Sequence, residues 1–192
     1  SFSIGTVTDI AGNAMSGTAV PDTNIASGSA IVIDTTVPTI TSFTSTTADG
    51  SYKSAGTVNI TATASEAVVS GNTITATLDT SDNVTLTAAA NGTTLVGTYT
   101  VGAGDNSNDL TVSSFSIGTV TDIAGNAMSG TAVPDTNIAS GSAIVIDTTV
   151  PTITSFTSTT ADGSYKSAGT VNITATASEA VVATNTITAT LD

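Results

Sequence analysis

The sequence predicts an all-β fold made of β-sandwich domains in tandem, and three observations carry that expectation. The first is composition: Thr, Val, Ile and Ala are abundant while only 9% of residues are charged, a mixture that suits half-buried strands and argues against a charge-driven disordered tail. The second is periodicity, since apolar residues alternate with Thr and Asn at period two and no helix-period segment appears. The third is repetition. Ile31-Val32-Ile33-Asp34-Thr35-Thr36-Val37-Pro38 returns unchanged as Ile144 to Pro151, 113 residues later.

Ser1 aligns with Ser114 and Asp79 with Asp192, and over those 79 paired positions only Ser70 against Ala183 and Gly71 against Thr184 differ. A repeat this long is a whole domain rather than one coil of a solenoid. Within the connector the β-branched run reads as a strand, Asp-Thr-Thr breaks it, and the proline fixes its own φ and holds the preceding residue extended. With connectors as boundaries, residues 1–34 are the C-terminal part of one domain, 35–147 a complete domain and 148–192 the N-terminal part of a third. The chain is therefore expected to be an excerpt from a longer array.

In the complete unit, Ile40 to Thr44 reads as the opening strand and Ala48-Asp49-Gly50-Ser51 as a turn. Val58, Ile60, Ala62 and Ala64 then alternate with Asn59, Thr61, Thr63 and Ser65, a strand with one buried face that is expected to stop at Glu66. Ile74, Ala76 and Leu78 alternate with threonines before a turn at Asp79 to Asn83, and Val84, Leu86 and Ala88 form the next strand. Asn91-Gly92 is a hairpin-type turn leading into Leu95 to Val101. After the polar loop Gly102 to Asp109, the parity of Leu110, Val112, Phe115 and Ile117 slips by one at Ser113-Ser114, which reads as a β-bulge. Ala143 to Ile146 closes the unit. About seven short strands with turns every 8 to 12 residues or so is the count of an immunoglobulin-like sandwich. Its core lacks Trp and relies on Phe43, Phe115, Tyr99 and aliphatic residues.

Fifteen acidic residues against two lysines, Lys53 and Lys166, give a net charge of −13. That balance disfavours nucleic acid and anionic lipid as partners and favours cations. No run of 18 apolar residues is present, so no direct membrane contact is expected from this stretch. Without cysteine there are no disulfides or thiolate sites, and without histidine no Ser-His-Asp arrangement exists. The scarcity of aromatics argues against a sugar-cleaving carboxylate pair. The expectation is a non-enzymatic protein.

The connector Asp-Thr-Thr-Val-Pro-Thr-Ile, the stretch Ser65-Glu66-Ala67-Val68 and the loop Asp122-Ile123-Ala124-Gly125-Asn126 together resemble the bacterial immunoglobulin-like repeats of large secreted surface adhesins. The likeness covers the whole 113-residue unit. It implies extracellular rods at the bacterial cell surface that hold an adhesive tip away from the cell, with Ca²⁺ at many domain junctions and neighbouring identical domains as partners. The uniformity of the copies leaves open the alternative of a self-assembling filament or surface layer, joined head to tail in the same or adjacent chains.

Successive strands reverse direction, so alternate loops share an end of a sandwich. The incoming end should collect Asp34, Glu66, Asp122 and Asn126; the outgoing end should collect Asp49, Asp105, Asp109 and Asp147, met by Glu179 of the following domain. Carboxylates gathered without basic partners repel, and a hard cation with six to eight oxygen ligands removes that repulsion, which points to Ca²⁺ rather than Mg²⁺ or a transition metal. The competing explanation is that these residues cap turns, as Asp and Asn commonly do. Lys53 as an isopeptide donor, Thr73, Thr75 and Thr77 as an ice-ordering face, and the sequons at Asn59, Asn83, Asn91 and Asn172 are weaker possibilities, each with an ordinary structural explanation.

Overall fold

A computed structural model describes residues 2–191, so Ser1 and Asp192 lie outside the described residues. The chain is almost entirely β, with mainly antiparallel pairing. Its strands are β1 (Ile40–Thr44), β2 (Gly50–Tyr52), β3 (Thr57–Val68), β4 (Thr73–Leu78), β5 (Asn83–Thr87), β6 (Gly92–Thr100), β7 (Asn106–Ser107), β8 (Val112–Ile117), β9 (Ile144–Asp147), β10 (Ile153–Thr157) and β11 (Thr174–Ala177). One sheet has the order β1-β3-β6-β5-β4-β8, a second the order β2-β9-β7, and β10 pairs with β11 alone.

The period-two alternation sets the burial directly. On β3, Val58, Ile60, Ala62 and Ala64 are buried while Asn59, Thr61 and Thr63 lie on the other face. On β4, Ile74, Ala76 and Leu78 are buried between half-buried threonines. The six-stranded sheet curls, because Phe43 on β1 and Phe115 on β8, at opposite ends of the strand order, meet edge to face with ring centroids 5.4 Å apart. Tyr99, Leu95, Leu110, Ile138, Ile144 and Ile146 pack into the same core. Each fully buried larger aliphatic contributes roughly 1.5–3 kcal/mol, so a core without Trp is still sufficient. Among the described residues every buried side chain falls between Pro38 and Ile146.

Several elements differ from the expectation. Gly50–Tyr52, overlapping the expected turn at Gly50 and Ser51, is a strand running parallel to β9; three residues are too few to show alternation. β3 continues past Glu66 to Val68, with a register shift against β6 between Thr63 and Val68. The slip at Ser113 is a register irregularity between β4 and β8: Thr77 faces Ser114 and Leu78 faces Val112, while the Ser113 hydroxyl donates to the carbonyls of Thr77 and Leu78. One helical turn forms at α1 (Ile25–Gly28), and its copy Ile138–Ser140 is 3₁₀. Both are started by a capping box, Asn24 with Ser27 and Asn137 with Ser140. A four-residue signal of this kind carries no helical period. Lys53 is exposed on the connection after β2. The Asn59 carboxamide oxygen accepts from Ser45, from the hydroxyl and amide of Thr46, and from Thr47, pinning the chain after β1.

β10 and β11 reproduce the register of β1 and β3, with Phe156 facing Ala175 as Phe43 faces Ala62. Phe43 is 0% exposed and Phe156 56%. The local pairing is therefore encoded within the segment, whereas burial needs the strands that cover it.

Candidate functional site

The loop after β8 is built from its own sequence. Thr121 and Ala127 form an antiparallel bridge, and Asp122 N–H donates to the Asn126 carbonyl at 3.0 Å. The turn between them needs a left-handed residue, supplied by Gly125 at φ +98°. One Asp122 carboxylate oxygen accepts from the Gly125 and Asn126 amides at 2.7 and 2.8 Å, and the other accepts from the Asn126 side-chain amide at 2.7 Å. The first copy repeats the loop: Asn13 donates to Asp9 from its amide and its side chain, both at 2.8 Å, and Gly12 sits at φ +89°. Asp9 is exposed and Asp122 only 2% exposed, so burial is not what shapes the turn.

Asn126 also reaches across to the connector, its side-chain amide donating to the Asp34 carbonyl at 3.0 Å. One Asp34 carboxylate oxygen accepts from Thr36 N–H at 2.9 Å, an Asx turn that directs the chain toward Pro38. Glu66 belongs to the part of β3 whose register slips, the kind of irregularity that re-aims a side chain. Val68 bridges to Asp122 and Val69 N–H donates to the Thr121 carbonyl, so the end of β3 is fastened to the Asp122 loop. The result is a cluster in which carboxylate oxygens of Asp34, Glu66 and Asp122 all lie within 4.8 Å of one another.

The electrostatics of the three differ. Burial, and then the charges of Asp34 and Asp122, raise the Glu66 pKa above the ordinary glutamate value. Glu66 Oε1 is buried and has no hydrogen-bond donor. Burial also pushes Asp122 upward, but the donors from Asn126, Gly125 and Ala124 outweigh it and hold Asp122 below the usual carboxylate range. Both lysines lie in exposed connections. The cluster is thus one buried carboxylate satisfied by loop N–H donors, one Asx-turn carboxylate and one that lacks a donor. It offers only hard oxygen ligands.

The structure therefore brings Asp34, Glu66, Asp122 and Asn126 together. Among the described residues, no group of three acidic side chains within reach of one ion includes Asp49, Asp105, Asp109, Asp147 or Glu179. Local partners explain most of this. Asp49 accepts from Ala143 N–H at 2.9 Å and fixes the start of the β2–β9 pair. Asp105 accepts from the Tyr99 hydroxyl and Gly102 N–H, both at 2.6 Å. The Tyr99 bond is the main reason its pKa is lowered, and the bond to Asp105 is the main reason the Asp82 pKa is raised. Asp109 is exposed, and its N–H donates to Ser107 Oγ at 3.3 Å. Asp147 makes the same Asx turn with Thr149 that Asp34 makes with Thr36. Glu179 Oε1, like Glu66 Oε1, is buried without a donor.

Two residues, Thr148 in a connector and Asn72 beside the Asp122 loop, gave no signal in the sequence. Thr148 N–H donates to the Asn106 side chain at 3.1 Å, while its hydroxyl donates to the Asp105 carbonyl at 3.0 Å and accepts from Gly104 N–H at 3.1 Å. Asn72 donates to the Thr121 carbonyl at 3.0 Å, holding the Asp122 loop from β4's side. Comparison with protein-family models, curated protein sequences and solved structures returned no match.

Proposed function

We propose that this chain is part of a non-enzymatic extracellular spacer, a stalk of immunoglobulin-like modules in a bacterial surface adhesin, and that Ca²⁺ held by Asp34, Glu66 and Asp122 stiffens the connector. The observation that carries the reading is the convergence of three carboxylates, from the connector, from β3 and from the loop after β8, around a glutamate oxygen that lacks a donor. An ionised carboxylate has about four acceptor positions, and Asp122 uses three of them on N–H groups. That leaves it able to orient a cation without losing its loop bonds. Asp34 keeps one oxygen clear of its turn bond. Such an oxygen-only, carboxylate-rich set suits Ca²⁺ better than Mg²⁺ or a transition metal.

A cation shared between the connector and the following module would restrict bending at Asp34 and stabilise the folded state by mass action. The near-identity of the two copies favours a repeating, load-spacing role over a ligand-specific one. Small-angle scattering of the chain in millimolar Ca²⁺ and in chelator tests the reading. The expected result is a more extended, less variable particle with Ca²⁺, a difference lost in Glu66→Gln. Superimposable curves with and without chelator would reject it.

A further inference from the structure

We infer that the connector is a two-sided joint. Where complete modules follow one another, the peptide group between Asp34 and Thr35 is clamped at its N–H by Asn106 of the preceding module and at its carbonyl by Asn126 of the following one. The clamp rests on the tandem-module reading above and needs no cation. The connectors Ile31 to Pro38 and Ile144 to Pro151 are identical, and each displays one side of the joint. The complete module follows the Asp34 connector and precedes the Asp147 connector.

At the first connector the Asn126 side-chain amide donates to the Asp34 carbonyl at 3.0 Å. At the second, Thr148 N–H donates to the Asn106 side-chain oxygen at 3.1 Å. Thr148 is the counterpart of Thr35, so the two bonds fall on the two polar groups of one peptide unit. Among the described residues no peptide bond is cis, and the C=O and N–H of a planar trans peptide point to opposite sides. The two asparagines therefore approach from opposite edges and do not contend for one position. Asn106 uses its carboxamide as an acceptor and Asn126 uses its own as a donor. The Thr148 hydroxyl strengthens the grip of the preceding module, donating to the Asp105 carbonyl at 3.0 Å and accepting from Gly104 N–H at 3.1 Å.

The connector keeps the same local bonds under either grip. Asp34 accepts from Thr36 N–H at 2.9 Å and Asp147 from Thr149 N–H at 3.0 Å. Thr39 N–H donates to the Ser65 hydroxyl oxygen and Thr152 N–H to that of Ser178, both at 3.0 Å. Beyond the connectors, Phe43 faces Ala62 and Phe156 faces Ala175 in the same register. The second connector thus carries the grip of the preceding module and the opening strand pair of the next segment together, and closing Asn126 on it requires no change in those bonds. With both grips closed, the Gly104–Asn106 loop of one module and the Asp122–Asn126 loop of the next stand on either side of a single peptide. Consecutive modules then meet at one fixed angle, and identical joints repeat that angle along the chain.

The test keeps the whole chain and inserts its 113-residue unit once more, residues 1–147 followed by 35–192, so that one connector has a complete module on each side. The chain has no cysteine, and Thr94→Cys, exposed on β6, places one spin label on each complete module. Double electron–electron resonance in chelator should give a single narrow distance with the same maximum in Ca²⁺. Asn106→Ala in the leading module or Asn126→Ala in the trailing one should broaden it. Hydrogen exchange of the unlabelled, otherwise unsubstituted lengthened chain provides a second readout that no variant's folding can confuse: the connector threonine N–H between the modules should exchange at least as slowly as Thr148 N–H of the present chain. Two distances, or a connector N–H faster than Thr148, would mean that the grips exclude each other and would overturn the clamp. A broad distribution in chelator also overturns it, and if Ca²⁺ then narrows that distribution to one distance the cation reading stands without the clamp. One distance in both conditions, with no Ca²⁺ bound, supports the clamp and rejects the cation.

Discussion

Replacing Phe43 by Ala removes the side chain at the centre of the core, and the same replacement at Phe156 provides a control of matching local sequence. Phe43 is fully buried and stacks edge to face on Phe115, with centroids 5.4 Å apart and planes at 64°. A buried Phe→Ala change costs about 3–5 kcal/mol, which includes roughly 0.5–1.5 kcal/mol for the ring pair. Against a typical total of about 5–15 kcal/mol that is a large fraction of the stability. For a module near 100 residues it corresponds to a fall in Tm of roughly 15–30 °C. Phe156 has the same neighbours in sequence but is 56% exposed, so its replacement should change stability by no more than about 0.5 kcal/mol. Urea unfolding followed by circular dichroism measures both. Equal losses from the two variants would refute the placement of the packed core between Pro38 and Ile146.

Gly97→Ala should destabilise by at least about 2 kcal/mol, because a Cβ there would lie 2.4 Å from the Thr85 carbonyl oxygen and 2.7 Å from Leu86 Cδ2; an unchanged urea midpoint would contradict the close approach of β5 and β6. Tyr99→Phe removes the donor to Asp105 and should cost about 2 kcal/mol, read from the same unfolding curves. For the ion-free protein the acid limb has two parts of opposite sign. The raised Glu66 pKa means the fold binds that proton more tightly than the unfolded chain, so stability rises as pH falls from above the folded Glu66 value toward the ordinary glutamate value. The lowered Asp122 pKa contributes stability that is present above the ordinary aspartate value and is lost as pH falls through the folded one. Urea midpoints in chelator should therefore pass through a maximum in mild acid, and Glu66→Gln should remove the rise on its neutral side.

The strand pattern was legible where alternation ran the length of the strand, as in β4; β1 also matches its expected span although its buried residues Ile40 and Phe43 lie three apart, and the parity slip at Ser113 marks a real register irregularity. What could not be read was structure held by distant hydrogen bonds. β2 is a strand because Asp49 and Gly50 bond to Ala143, 94 and 93 residues away in the chain, and no local signal carries that. Glu66 illustrates both sides. Loop adjacency placed it with Asp34, Asp122 and Asn126, but the expected strand end at Glu66 is instead an irregular continuation that turns the side chain into the cluster. At the outgoing end, acidic residues are interchangeable in a loop count, and their hydrogen-bond partners are not legible in it. Tyr99 and Gly102 take up Asp105, and Ala143 takes up Asp49. Thr148 was invisible because a connector threonine looks the same whether it is solvated or bonded to Asn106 and Asp105.

Isothermal titration of the chain with Ca²⁺ at neutral pH bears most directly on the role given to the Asp34 connector. Saturable binding is expected, weakened at least tenfold by Glu66→Gln or Asp34→Asn and unaffected by Asp49→Asn, whose carboxylate bonds to Ala143 instead. Absence of binding at millimolar Ca²⁺, or binding indifferent to Glu66 and Asp34, would contradict it.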